Sequence, residues 1–230
     1  MAGADLRGDL AETSIHLVRH APHPAVGERL CGREPGHGLR APGREMAARL
    51  GAAMQLSQPA MVYASPVQRA VETGQAIAKA CGVPLQIAEA LTEIDFGQWT
   101  GKRFGDLQGD PEWTRWNCAR AAACVPGGES MAEVQARTSV WIEQARARHP
   151  GQSIVAVSHA DVIKAILAEA LGWSLDRHDR LQIDTASVSR IVAADWGRRV
   201  LSINEAIDGP TDPGRDQDEG AGARRLVPQP

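Results

Sequence analysis

Arg19 and His20 stand side by side where an apolar run, Ser14-Ile15-His16-Leu17-Val18, gives way to Ala21-Pro22. Arg69 lies just after Ser65-Pro66, and His159 directly follows Ile154-Val155-Ala156-Val157-Ser158. If the three runs are strands of one sheet, two guanidiniums and two imidazoles meet at its carboxyl edge, where open α/β sheets bind ligands. Such a group suits a tetrahedral dianion, because Arg offers planar bidentate donors to phosphate oxygens that Lys cannot reproduce. Packing is a poor explanation for the convergence, since four cationic groups would repel one another without an anion. Leu91–Gly101 adds Glu93 and Asp95 amid apolar residues. Desolvation there raises a carboxyl pKa, which suits acid/base work. Either acid could equally cap a turn.

Those residues need strands and helices to place them. Ile15, Leu17 and Val18 suit a buried strand over 15–19, and Pro22 cannot continue a central ladder. A long Gly-, Pro-, His- and Arg-rich loop, Pro22–Pro42, reads as functional or as a cover over a site. Within it Arg33, after Gly32, is the cation chosen to reach a phosphate. A helix is expected over Gly43–Leu56, from Met46, Leu50 and Met54. A second strand follows at Ala60–Ala64. Ser65 as cap, Pro66 at the first helical position and Gln68 then fit a capping box, with Gly82 ending the helix. Pro84–Ala88 is a short third strand. Residues 102–126, with Trp113 and Trp116, form an insertion that is either a lid or satellite packing. Ser130 and Glu133 open a helix that ends near Pro150. Ile154–Ser158 is the central strand candidate, and the helix after His159 runs to Leu171. Strands at Ser187–Ala193 and Arg199–Ile203 complete a three-layer α/β/α sandwich with a mostly parallel central sheet. Residues 1–13 are expected to be a flexible arm, 14–205 one domain, and 206–230 a disordered tail.

The chain is long enough for one sizeable α/β domain. A net charge of −3 gives no global attraction to nucleic acid or an anionic membrane, so phosphate binding must be local. The four cysteines, Cys31, Cys81, Cys118 and Cys124, show neither metal spacing nor a disulfide framework. No apolar run spans a bilayer and Met1–Glu12 has no apolar signal core, so a cytoplasmic location is expected. A metal-binding module drawn from His16, His20 and His23 is a rival reading, although no cysteine or carboxylate nearby in the sequence completes a tetrahedral set. A sheet edge could pair two copies into a homodimer.

The ordered set Leu17-Val18-Arg19-His20, Ser65-Pro66 with Arg69, Glu93, and Val157-Ser158-His159 resembles the histidine phosphatase superfamily, over about residues 14–205. That family includes phosphoglycerate mutases and many small phosphomonoesterases. The resemblance implies a phosphoglycerate mutase-like fold and a small-molecule phosphoester substrate, with no cofactor and no metal. It implies that His20 is the nucleophile, forming a phosphohistidine, with its other ring nitrogen bonded to a backbone carbonyl. Arg19, Arg69 and His159 then hold the phosphoryl oxygens, and Glu93 is the proton donor and later the base. Pro126-Gly127-Gly128-Glu129-Ser130 resembles the phosphatase branch. A mutase usually adds basic residues in the insertion, where Lys102, Arg103, Arg115 and Arg120 stand. A non-catalytic phosphate-binding regulatory protein would normally lack His20 or Glu93. Ala21 and Ala160-Asp161 depart from the usual glycines, and Asp161 is expected to disfavour a second anionic group.

Overall fold

The computed structural model describes residues 11–207 of the chain. The sequence expectations for the extreme N-terminal arm and the tail from 208 onward fall outside those residues. Six strands form one mixed sheet in the order β3-β2-β4-β1-β5-β6. They are β1 (Thr13–Arg19), β2 (Met61–Ala64), β3 (Leu85–Ile87), β4 (Ser153–Ser158), β5 (Val188–Ala194) and β6 (Gly197–Glu205). β1 and β4 are parallel, as are β2 with β4 and β2 with β3, while β5 runs antiparallel to β1 and β6 to β5. The sheet is therefore mostly parallel, with a hairpin at one edge. Thr13 already belongs to β1, fully buried, with its hydroxyl donating to His149 O at 2.8 Å. β1 thus begins inside the stretch expected to be a flexible arm.

The period-two alternation of the strands divides the core into two layers. Ile15, Leu17, Ile154 and Ala156 face one side, against Trp141 and Ile142 of α4 (Met131–Arg148) and Ile163 and Ile166 of α5 (Ala160–Ala170). Val18, Val62, Val155 and Val157 face the other, against Leu50 of α1 (Ala41–Met54) and Ile77 of α2 (Gln68–Cys81). All fourteen of these side chains are at least nine-tenths buried, burial of each branched aliphatic one being worth about 1.5–3 kcal/mol. Helices thus cover both faces of the sheet.

Helix boundaries show where local signals held. Ser130 Oγ accepts from Glu133 N–H and the Glu133 carboxylate accepts from Ser130 N–H, closing the expected capping box. α1 starts at Ala41, two residues before the expected Gly43, because Pro42 has the fixed φ that a first helical turn accepts. The capping box expected at Ser65 is absent. α2 begins at Gln68 with Val67 as its N-cap, and Gln68 donates to Glu72 instead. Ser65 is occupied elsewhere, as the site shows. The insertion carries a short helix, α3 (Pro111–Cys118), N-capped by Asp110. Its Trp116 is fully buried beside Trp99, with ring centroids 6.1 Å apart. Leu107 and Trp116 join the main core beside Trp99, so the segment is packed against the domain.

Candidate functional site

The strand register builds the site. Arg19 pairs with Ser158, and Ala64 pairs with Val157, so β2, β4 and β1 end together as neighbours. Immediately beyond them stand Ser65, His159 and His20. His20 N–H donates to Ser158 O and Ser65 N–H to Val157 O, continuing the ladder into the site.

His20 Nδ1 lies 2.9 Å from Ala21 O. A carbonyl only accepts, so Nδ1 carries the proton and Nε2 keeps its lone pair. Arg69 Nε–H donates to that Nε2 at 3.1 Å. Ala21 is fixed in turn, its N–H donating to Thr73 Oγ1, whose hydroxyl donates to Arg69 O. Arg69 Nη2 reaches Gly32 O at 3.0 Å and His159 Nδ1 at 3.2 Å, and lies 3.6 Å from Glu93 Oε2. Arg69 is 2% exposed, and its buried Nη1 makes no hydrogen bond among the described residues, a donor still available to an anion. With Nδ1 of His159 accepting from Arg69, its Nε2–H donates to Ser65 Oγ at 2.8 Å. That oxygen also accepts from Val67 N–H, which explains why Ser65 holds the imidazole and does not cap a capping box with Gln68.

Burial, then the charges of Arg69 and Arg19, hold His20 well below the ordinary imidazole range. Burial and Arg69, then His20, do the same to His159. Both rings are neutral, so the mutual repulsion expected of four cations does not arise. The carboxylate facing Arg69 and His159 is that of Glu93, whose Oε2 is 3.5 Å from His159 Nδ1. Burial pushes its pKa up to about 7, with the Arg69 charge opposing the rise. Arg19 closes the pocket's electrostatics: it contributes to the shifts of His20, His159 and Glu93, and its Nη1 donates to Ile183 O at 2.8 Å.

Three other residues singled out in the sequence take places outside the phosphate pocket. Arg33 was the cation expected to reach a phosphate. Instead its Nε donates to Glu93 O at 2.8 Å, its Nη2 to Glu129 at 2.6 Å, and its Nη1 faces Asp95 at 3.6 Å. It braces the Glu93 loop. Asp95 caps its own turn through Gly97 N–H and is not the pocket acid. His16 sits apart from His20, among Val188, Arg190 and Glu205, so the rival trio of His16, His20 and His23 does not assemble.

Sequence reasoning missed the rest of that brace. Arg137 of α4 donates to Ala90 O, to Thr92 O and to Glu129. Glu129 also accepts from Asp95 N–H. The 95–97 and 126–128 turns touch backbone to backbone: a Cβ on Gly97 would strike Pro126 O, and one on Gly128 would strike Asp95 O. Nothing local in the sequence marks Arg137. Beyond Glu93, Asp161 faces Arg120 at 3.6 Å, and Arg120 lies over the Trp116 ring, 4.5 Å from its centroid. Burial raises the Asp161 pKa, yet Arg120 and Lys164 together hold it below the usual carboxylate range.

Known proteins share this frame. The chain spans about half the length, 54%, of three mycobacterial curated relatives, among them bifunctional protein Rv2228c of Mycobacterium tuberculosis; it matches them at 31% identity over 196 residues, 84% of this chain. It is 31% identical to phosphoserine phosphatase 1 of Hydrogenobacter thermophilus over 146 residues, 63% of this chain and 69% of that protein. It is 26% identical over 179 residues to a probable phosphoglycerate mutase, GpmB, of Salmonella choleraesuis, covering 77% of this chain and 83% of the relative. Among solved structures, YhfR of Bacillus stearothermophilus superposes with a TM-score of 0.79 at 27% identity, over 84% of this chain and 98% of that one. Residues 15–206, the sheet and the pocket at its carboxyl edge, match the family described as histidine phosphatase superfamily (branch 1), and the chain belongs to that superfamily.

Proposed function

We propose that the chain is a phosphomonoester hydrolase that acts on a small phosphorylated metabolite through a phosphohistidine on His20. The observation that carries this reading is the locked tautomer of His20, a neutral ring whose unprotonated Nε2 accepts from the Arg69 guanidinium.

On this reading, the phosphate takes over the donors of Arg69, including the buried Nη1 and the Nε now resting on His20, and so frees the Nε2 lone pair. Nε2 attacks phosphorus, an N–P bond forms, and the ester P–O bond breaks. The guanidiniums of Arg19 and Arg69 stabilise the charge on the phosphoryl oxygens. His159, neutral at rest, becomes a better proton holder once a dianion lies beside it. Glu93 gives its proton to the leaving alkoxide. As a carboxylate it then takes a proton from water, the hydroxide attacks phosphorus, and the N–P bond breaks to return His20. A pKa of about 7 lets Glu93 serve in both forms near neutral pH.

Hydrolysis is favoured over mutase transfer by Arg120, the buried one of the insertion's four cations, which faces Asp161 at 3.6 Å and so is not left to retain a second phosphoryl group. A reducing, cytoplasmic setting fits the four unpaired thiols. A panel of phosphoesters assayed for free phosphate tests the function, with phosphoglycerate and its bisphosphate run alongside. Phosphate release without isomerisation, abolished in His20→Ala, is the expected result. Isomerisation without release would assign the mutase reaction, and neither would assign a binder.

A further inference from the structure

The loop between β1 and α1 holds a second cluster that the hydrolysis reading leaves unused. His23, Cys31 and His37 each turn a ligating atom inward, and the three atoms lie within 4.8 Å of one another. His23 is 8% exposed and Cys31 6%, so this is not a chance gathering on the surface. His23 Nδ1 is buried and makes no hydrogen bond among the described residues, a costly state for a polar atom. Cys31 Sγ has only a weak contact, 3.7 Å to Arg29 O.

We propose that His23, Cys31 and His37 form a site for a soft divalent transition metal, zinc being the fitting ion. Two imidazoles and a thiolate are the donors zinc prefers, at about 2.0–2.1 Å for nitrogen and 2.3 Å for sulfur. A tetrahedral ion needs such donors roughly 3.3–3.6 Å apart, so side-chain rotation of about an ångström closes the set. The fourth position is left to water or another small ligand.

The surroundings favour the ion in two ways. His37 Nε2 lies 3.3 Å from Glu34 Oε2, the carboxylate–imidazole pairing that orients a metal-bound histidine, and Glu34 is itself held by Arg29 at 2.8 Å. The loop is also tied down between and beside the ligands. Arg69 holds Gly32 O, Arg33 holds Glu93 O, and Leu39 N–H donates to Glu72 at 2.7 Å. The donors are therefore placed before the ion arrives. Binding replaces the Cys31 S–H proton with a metal–sulfur bond and releases that proton to solvent. The His23 ring centroid is 5.4 Å from that of His20, so a dication here is felt at the phosphate pocket.

The test titrates zinc into the metal-free, full-length protein against a chromophoric chelator, and repeats it with cobalt for its sulfur-to-metal charge-transfer band. One equivalent should bind, with that band present. Glu34→Gln should weaken binding about 10-fold or more, and Cys31→Ser and His37→Asn at least as much, with Cys31→Ser also losing the band. Circular dichroism of each variant checks the fold, and metal-free phosphoester turnover should be unchanged in His37→Asn. Zinc should slow turnover in the wild type and not in His37→Asn. Absence of one-equivalent binding, or binding that His37→Asn leaves unaltered, would overturn the site. Because binding is read without substrate, failure of the hydrolase reading would leave this result intact.

Discussion

Buried histidines sit near opposite ends of the same sheet, and their surroundings differ in one respect. At the amino end, His149 Nε2 meets the Tyr63 hydroxyl at 2.8 Å and Nδ1 meets Gln152 Oε1 at 2.9 Å, while His149 O accepts from Thr13. Every partner is neutral and both ring nitrogens are satisfied. At the carboxyl edge, His20 and His159 face an arginine with an unused donor and a carboxyl displaced toward neutrality. Burial and the imidazole group are common to both places. A structural cluster uses up its hydrogen bonds on itself, whereas this site keeps a lone pair, an N–H and a proton in reserve for something that is not yet there.

Substitutions can break that contrast, the largest effect first. His20→Ala should reduce phosphoester turnover by about 10⁴-fold or more, as loss of a nucleophile does, while leaving the melting temperature within a few degrees. An equal loss of stability and activity would make His20 another His149.

Glu93→Gln should lower kcat by about 10²–10⁴-fold. The pH profile sharpens this. Because Glu93 must be protonated in the first step, wild-type kcat/KM should fall as pH rises through about 7, and the variant should lose that limb. Stability gives an independent reading. The folded pKa lies above the unfolded one, so the favoured neutral carboxyl stabilises the fold fully below about pH 4.5, and that contribution is lost as pH rises through 7. The difference is roughly 3 kcal/mol at most, and melting temperatures across that window should converge in Glu93→Gln. A pH-independent difference between the two proteins would contradict the burial of that carboxyl.

Arg69→Lys should cost about 10²–10³-fold in kcat, since Lys keeps the charge and loses the fork. At the other end of the sheet, His149→Ala should cost about 1–3 kcal/mol by stranding the Tyr63 hydroxyl, measured by denaturant unfolding, with turnover per folded molecule unchanged. The smallest effect belongs to Asp161→Ala. Freed from its partner, Arg120 should improve kcat/KM for substrates bearing a second anion by a few-fold relative to simple monoesters, and equal selectivity would remove Asp161 from the specificity argument.

The strands were legible because a short apolar run, as in Ile15, Leu17 and Val18, is a local signal of a strand buried on both faces. The Ser130–Glu133 cap was legible for the same reason. Ser65 misled because its capping pattern was also local, while the competing partner, His159, lies 94 residues away in the chain. Arg33 was chosen from its neighbour Gly32, yet its geometry is decided by Glu129, 96 residues distant. Arg137 had no local signal at all. Four cationic groups at one edge would repel one another, and the fold avoids this by burying the imidazoles neutral. What the sequence could not express was protonation, which depends on burial. His37 and Cys31 likewise gained meaning only once the loop brought them to His23.

The most direct test of the central claim is to quench the protein during turnover of a phosphoester and map the phosphoryl group by mass spectrometry under alkaline conditions, where phosphohistidine survives. The account predicts an acid-labile phosphoryl group on His20, absent in His20→Ala and accumulating in Glu93→Gln. Turnover with no phosphorylated His20 at any quench time, or label on another side chain, would contradict it.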